Sequence, residues 1–276
     1  MKYPEIPVTD DHMHIDPVHG RGVEAALDFR RSGGTHLFLV SKPSWSHGVT
    51  PRSGRDFTVV FDETLRTAAV IRERGLVVYP VLGVHPAEIS RLSRRMTVDE
   101  AAGVMEQGLS LACEYVMDGK AVALKSGRPH YEASPEEMDA SNRVLSHALR
   151  CAADAGCAIQ IHAESGPCAD VVEMARDAGL DPARVVKHYA VPGTPLTPSF
   201  IATHEAIPDL CRQGEPFMME SDYMDDGSRP GAVIGPRSVP RVTFRLLREG
   251  RITTEDACRI HADTPGQVYG VEISIG

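Results

Sequence analysis

The chain has no CxxC pair and no regular cysteine spacing. Its six cysteines stand at Cys113, Cys151, Cys157, Cys168, Cys211 and Cys258, so no disulfide framework is implied and the thiols read as reduced and mostly buried. No run of about 18 apolar residues occurs, which excludes a membrane-spanning helix. The opening MKYPEIPVTDDHMHID shows no apolar core behind a basic start. The expectation is a cytoplasmic chain with no membrane partner. No linker, repeat or low-complexity tract interrupts it, and one domain over 1–276 is expected. An excess of positive charge is missing as well. Twenty-nine basic against 38 acidic residues leave a formal charge of −9, which repels nucleic acid at long range and disfavours DNA as a partner. A small anion held at a locally basic mouth stays compatible with that total.

What is present is ordinary globular composition, 42% hydrophobic and 24% charged, in 276 residues. That length lies near the ~250 residues typical of a (β/α)₈ barrel. Short apolar runs alternate with longer amphipathic stretches, the pattern of repeated βα units on a parallel sheet. Eight strand candidates can be counted: 6–15, 36–41, 76–84, 121–127, 158–163, 185–189, 199–203 and 217–222. Helical patterns lie between them at 23–32, 61–74, 97–117, 135–155 and 169–178, many followed by a glycine suited to a C-terminal cap. Ser134-Pro135-Glu136-Glu137 places a capping serine, a proline in the first turn and acids beside the positive end of the helix dipole. The predicted fold is therefore α/β, a single (β/α)₈ TIM barrel. Two long irregular connections, 42–58 and 223–241, follow strand C-termini and would overhang the active-site face, making Lys42, Trp45, Arg52, Arg55, Arg229, Arg237 and Arg241 candidate substrate contacts.

His12 and His14 end the first strand run two residues apart, so a strand's period puts both rings on one face. His162 ends the fifth run, His188 the sixth and Asp222 the eighth. Each taken alone suits a core histidine or a capping aspartate; their shared position at strand C-termini points to one site. Nitrogen and oxygen donors of this kind suit Zn²⁺, with Mn²⁺, Fe²⁺, Co²⁺ or Ni²⁺ as alternatives. Five donors are generous for one ion and suggest two, ~3.5–4 Å apart, sharing a bridge. Lys125 in AVALKSG is the candidate bridge. A protonated ammonium has no lone pair, but near two dications its pKa should fall, and the neutral amine can add CO₂ to give an anionic carbamate. The bland alternative pairs Lys125 with Glu164 or Glu220.

The segments DDHMHID, GVHP, SGRPHYE, QIHAES, VVKHY, MESDYMDD and RIHADTPGQVYGV, in this order, resemble the amidohydrolase superfamily and, within it, the archaeal-type branch of the TatD-related metal-dependent hydrolases. The resemblance covers nearly the full length. It implies a (β/α)₈ barrel, a dinuclear site on His12, His14, Lys125, His162, His188 and Asp222, and hydrolysis of an ester, amide or phosphoester. TatD nucleases usually carry a glutamate on the fourth strand where this chain has Leu124-Lys125; lysine there is more similar to phosphotriesterase-type and lactonase members. The expected reaction is phosphoester cleavage by a hydroxide bridging the two metals, with Asp222 accepting the proton and Arg128 or His130 stabilising developing charge. His85 and His204 are candidate pocket residues. A lactonase or amidohydrolase, and a metal-binding barrel without catalysis, are the alternative functions. Nothing in the sequence specifies an oligomeric state.

Overall fold

The computed structural model describes residues 5–226 and 234–275. Its strands are β1 (Thr9–His14), β2 (His36–Val40), β3 (Val77–Gly83), β4 (Ala123–Gly127), β5 (Ala158–His162), β6 (Val185–Lys187), β7 (Thr197–Ile201), β8 (Met218–Glu220) and β9 (Tyr223–Met224). The helices are α1 (Val23–Arg31), α2 (Thr58–Arg72), α3 (Glu88–Leu92), α4 (Val98–Met117), α5 (Pro135–Asp154), α6 (Asp170–Asp177), α7 (Ile207–Gln213), α8 (Ser238–Arg248), α9 (Thr254–Cys258) and α10 (Thr264–Tyr269). The strands follow in the order β8-β7-β6-β5-β4-β3-β2-β1-β9. This is an α/β fold of the (β/α)₈ TIM-barrel type. Among the described residues no helix is long and apolar enough to cross a membrane.

The eight expected strand runs all form strands, seven with ends trimmed by a few residues and the run expected at 199–203 shifted to Thr197–Ile201. One difference is informative. The run expected at 217–222 stops at Glu220, and a short ninth strand begins at Tyr223. Between them Asp222 has φ 45, a left-handed conformation that interrupts extended backbone and that Asp tolerates better than bulkier residues. β9 then runs parallel to β1, Met13 opposite Tyr223 and His14 opposite Met224. The first long connection contains short 3₁₀ turns over Ser44–His47 and Gly54–Phe57. The second gives way to α8 at Ser238, and Arg229 lies outside the described residues.

The chain divides into two compact units. One comprises Met1–Val40, Arg66–Tyr79 and Pro198–Gly276. In it β1 pairs in parallel with β2, Thr9 opposite His36, and α8 turns Val239, Val242, Phe244 and Leu246 inward. Phe38 packs against Tyr79 and Tyr269, with ring centroids 5.1 and 4.2 Å away. His261 sits in a π-helical turn over Arg259–Asp263. There it receives the Thr9 N–H at Nδ1 (3.2 Å), while its Nε2 lies 2.8 Å from the Thr243 hydroxyl. It is fully buried, and burial lowers its pKa from 6.5 to about 4.

The other unit comprises Ser41–Leu65 and Pro80–Thr197. Its apolar core is built from α4, α5 and the strands they cover, including Phe57, Phe61, Leu82, Leu109, Leu124, Leu145, Leu149 and Ile159. Burying each such leucine contributes about 2 kcal/mol. Both long helices begin in capping boxes, Thr97 with Glu100 and Ser134 with Glu137, each worth about 1 kcal/mol. β3, β4 and β5 pair in register, Gly83 opposite Lys125, Lys125 opposite Gln160 and Gly127 opposite His162. A Cβ on Gly83 would lie 1.8 Å from the Lys125 carbonyl oxygen, and one on Gly127, which has φ 149, would lie 1.8 Å from that of His162. Only glycine permits that approach.

Candidate metal centre

In the first unit every residue of β1 is buried. His12 and His14, two residues apart beyond a register shift between Asp10 and Met13, bring their rings together with centroids 4.9 Å apart. The His14 Nδ1 lies 2.9 Å from the Val40 carbonyl oxygen. A carbonyl only accepts, so Nδ1 carries the hydrogen and Nε2 keeps its lone pair, the arrangement a metal-ligating imidazole needs. That Nε2 is 3.1 Å from His12 Nε2, which in turn is 3.8 Å from the Asp222 carboxylate. Two nitrogens and a carboxylate oxygen thus come together beyond the end of β1. The donors fit a borderline divalent cation such as Zn²⁺.

Asp10 sits beneath them. Its Oδ1 accepts the backbone N–H groups of His12 (3.2 Å) and Ser221 (3.0 Å), the latter directly before Asp222. Full burial raises its pKa to about 7 against the lowering effect of those bonds. Asp225 secures the following loop, accepting from the N–H groups of Asp16 (3.0 Å), Arg21 (2.8 Å) and Gly22 (2.8 Å) and from the Tyr223 hydroxyl (3.0 Å).

In the second unit Lys125 lies midway along β4, His162 ends β5 and His188 directly follows β6. Lys125 is 2% exposed and His188 1%. The two nitrogens of His162 lie 2.6 Å from His188 Nε2 and 2.6 Å from His130 Nδ1. Burial, and then the positive charge of Lys125 and the neighbouring His85, His130 and Lys187, push the His162 pKa well below its ordinary value. A neutral imidazole with a lone pair is the ligand form. Lys187, fully buried, donates to the carbonyl oxygens of Ala163 (3.3 Å) and His188 (3.0 Å) and so ties together the ends of β5 and β6.

Arg128 occupies a different place from that of a charge stabiliser facing a substrate. It is buried, and all five of its N–H donors are engaged. Nε and one terminal nitrogen bond the two oxygens of Glu164, the former at 2.7 Å; the terminal nitrogens also reach Asp170 at 2.5 and 3.0 Å and Asn142 at 3.3 Å. These bonds lower the pKa of both Glu164 and Asp170, against the opposing effect of burial. His130 is exposed, with its ring against His162.

His85 and His204 each accept an N–H two residues ahead, from Ala87 (3.1 Å) and Ala206 (3.2 Å). His85 additionally packs on His162 with centroids 5.2 Å apart, whereas the ring neighbour of His204 is Phe200. Of the loop residues, Lys42 is buried, Trp45 half-buried, and Arg52, Arg55 and Arg241 exposed. Arg237 donates to Asp28 at 2.6 Å, the main reason that carboxyl falls to about 2.

Strand-end histidines, a carboxylate and a buried lysine on an α/β barrel define a metal-dependent hydrolase. The chain belongs to the TatD related DNase family, whose model matches residues 9–270. It is 34% identical over 282 residues to the uncharacterised protein MJ1127 of Methanocaldococcus jannaschii, covering 98% of each chain. Among solved structures it is similar to YjjV, a TatD homologue from Escherichia coli, with a TM-score of 0.67, 16% identity, and 96% of this chain and 98% of that one covered. A mutant phosphotriesterase-like lactonase from Deinococcus radiodurans gives a TM-score of 0.58 at 15% identity, covering 96% of each. At such identities these two structures speak for the fold.

Lys187 and Asp10 do not stand out in the sequence as site residues. A lysine inside an apolar strand run and an acid two residues before a candidate ligand histidine were the available signals.

Proposed function

We propose that the chain hydrolyses a phosphoester in a small anionic substrate, with His12, His14, Lys125, His162, His188 and Asp222 as ligands to two divalent ions, Zn²⁺ foremost. The observation that carries this reading is a close histidine pair at the strand ends of each unit, His12–His14 at 3.1 Å and His162–His188 at 2.6 Å, with the His14 tautomer set by Val40. When bound, the ions supply Lewis acidity and bring the pKa of water toward ~7. Asp222, held at the break between β8 and β9, takes the proton from the attacking water. His130 faces the open side and donates a ring N–H to the oxygen that gains negative charge. Arg128 positions the ends of β4 and β5. Lys125 serves as a carbamate, formed when its neutral Nζ adds to CO₂ and releases a proton.

Lactone or amide hydrolysis is the second reading, favoured by the buried lysine on β4 where TatD nucleases usually carry glutamate. Metal-loaded protein tested against a nucleotide, a phosphodiester, a lactone and single-stranded DNA separates the readings. Turnover of a small phosphoester, abolished by a chelator and restored by added Zn²⁺, is expected. Turnover of the lactone alone would transfer the assignment to the second reading. No turnover on any of them at full metal loading would leave a metal-binding barrel without catalysis.

A further inference from the structure

One circuit of side chains in the second unit closes on itself around His162. The Arg91 guanidinium carbon lies 5.1 Å from the Trp45 ring, and Trp45 meets His85 edge-on at 5.9 Å. His85 packs on His162 at 5.2 Å, His162 meets His130 at 4.4 Å, and His130 meets Tyr131 at 5.7 Å. The Tyr131 hydroxyl is 2.9 Å from that of Ser90, the chain neighbour of Arg91. Its members come from the connections after β2, β3 and β4 and from the end of β5, four successive strands. A buried group fixes its outer corner, since Glu88 accepts the Ser44 N–H (2.8 Å) just before Trp45.

Most polar groups beneath the site are committed to protein partners, but two on the outer arc are not. Among the described residues the Arg91 guanidinium and the Trp45 indole N–H make no hydrogen bond, while Tyr131 is 36% exposed. The arc therefore offers flat aromatic surface and a cation with unspent donors; of the carboxylates beside it, Glu88 is buried and Glu137 accepts the Ser134 N–H (3.0 Å) and the Ser93 hydroxyl (3.3 Å). Aromatic faces attract conjugated rings, and a guanidinium fork matches an anionic oxygen pair.

We propose that this circuit is a specificity-determining collar for the phosphoester reading above, selecting a small substrate that joins one flat conjugated ring to a negative charge. The ring lies against Trp45 and Tyr131, and the charge faces Arg91. The proposal rests on that reading for its reaction but not for its test, because phosphonates bind without being hydrolysed.

Trp45 is the single tryptophan of the chain, so its emission reports on the collar directly. Metal-loaded full-length protein is titrated with phenylphosphonate, which has ring and charge, with methylphosphonate, which has charge alone, and with benzyl alcohol, which has a ring alone. Phenylphosphonate is expected to bind about tenfold or more tighter than either and to shift Trp45 emission saturably. Arg91→Ala, an exposed position, should weaken phenylphosphonate about tenfold. By calorimetry, Trp45→Phe should keep the preference for phenyl over methyl and Trp45→Ala should lose it. Equal affinities for the two phosphonates, no binding of either, unchanged emission on binding, or an Arg91→Ala protein that binds like the wild type would each overturn the collar. A collar that binds as expected in a protein that cleaves no phosphoester would locate the error in the reaction instead.

Discussion

Replacing Arg128 with alanine tests whether the residue clamps the site or acts on the substrate. The guanidinium side chain is 9% exposed, while its partners Glu164 and Asp170 are 43% and 56% exposed. Breaking a fully buried ion pair costs ~3–5 kcal/mol, because a charge is left stranded away from water. Here both carboxylates can rehydrate once the arginine is gone, so the cost falls to about 2–3 kcal/mol. Arg128→Lys keeps the charge but has three donors for five acceptors, and about half of that loss is expected. The clamp lies three residues beyond Lys125, and Glu164 two beyond His162, so loosening it should also weaken metal binding about 10- to 100-fold. Urea denaturation of chelated protein gives the stability term, and competition against a metal indicator gives the affinity. An Arg128→Ala protein with wild-type stability and metal affinity but a much lower kcat would refute the clamp and put the guanidinium at the reacting group.

Asp222→Asn should lower kcat by about 10² or more while KM changes little, since it removes a proton acceptor used in the transition state; steady-state kinetics at saturating metal checks this, and near-normal turnover would remove the role. His261 supplies a pH dependence whose sign follows from its pKa falling from 6.5 to about 4 in the fold. Above the higher value neither state binds the proton; as pH falls through that window only the unfolded state does, so stability declines by about 3 kcal/mol and levels off below it. Denaturation midpoints of wild type and His261→Gln between neutral pH and the acid limit should converge by that amount, and parallel curves would contradict it. For Lys125, protein loaded with metal in the presence of ¹³C-bicarbonate should show a carbamate carbon resonance that Lys125→Ala lacks; full metal occupancy with an unmodified amine would rule out the bridge.

The candidate ligands stood out because each lies at or near the end of a short apolar run, where a strand's period of two constrains the face. The glycine-punctuated helices were legible for a similar reason, local chemistry at a local position. What stayed hidden depends on distance along the chain. Arg128 meets Glu164 and Asp170 across 36 and 42 residues, and nothing near SGRP indicates that its donors are spent. The break at Asp222 was hidden differently, since a left-handed residue within MESDYM leaves the hydrophobic pattern intact. His85 and His204 look alike in sequence, each two residues before an alanine, and form the same backbone bond. Only the ring against His85 belongs to the site.

These hidden contacts share one consequence. Asp10 joins β1 to the segment before Asp222, Arg128 joins the exits of β4 and β5, and Lys187 joins those of β5 and β6. Each is a buried ionisable group bonded to backbone or to acids beside a candidate ligand. Burying such groups contributes little net stability, so apolar residues of similar size would serve the fold alone at least as well. Gly83 and Gly127 add a backbone constraint, because a side chain at either would push β4 away from its neighbour. The donor atoms are therefore held by contacts that need no cation, and metal binding should proceed with little ordering of the chain. If chelation instead melted the strand ends, as loss of amide protection from hydrogen exchange at residues 160–163 and 185–188 would reveal, the buried charges would be supported by the metals rather than supporting their ligands.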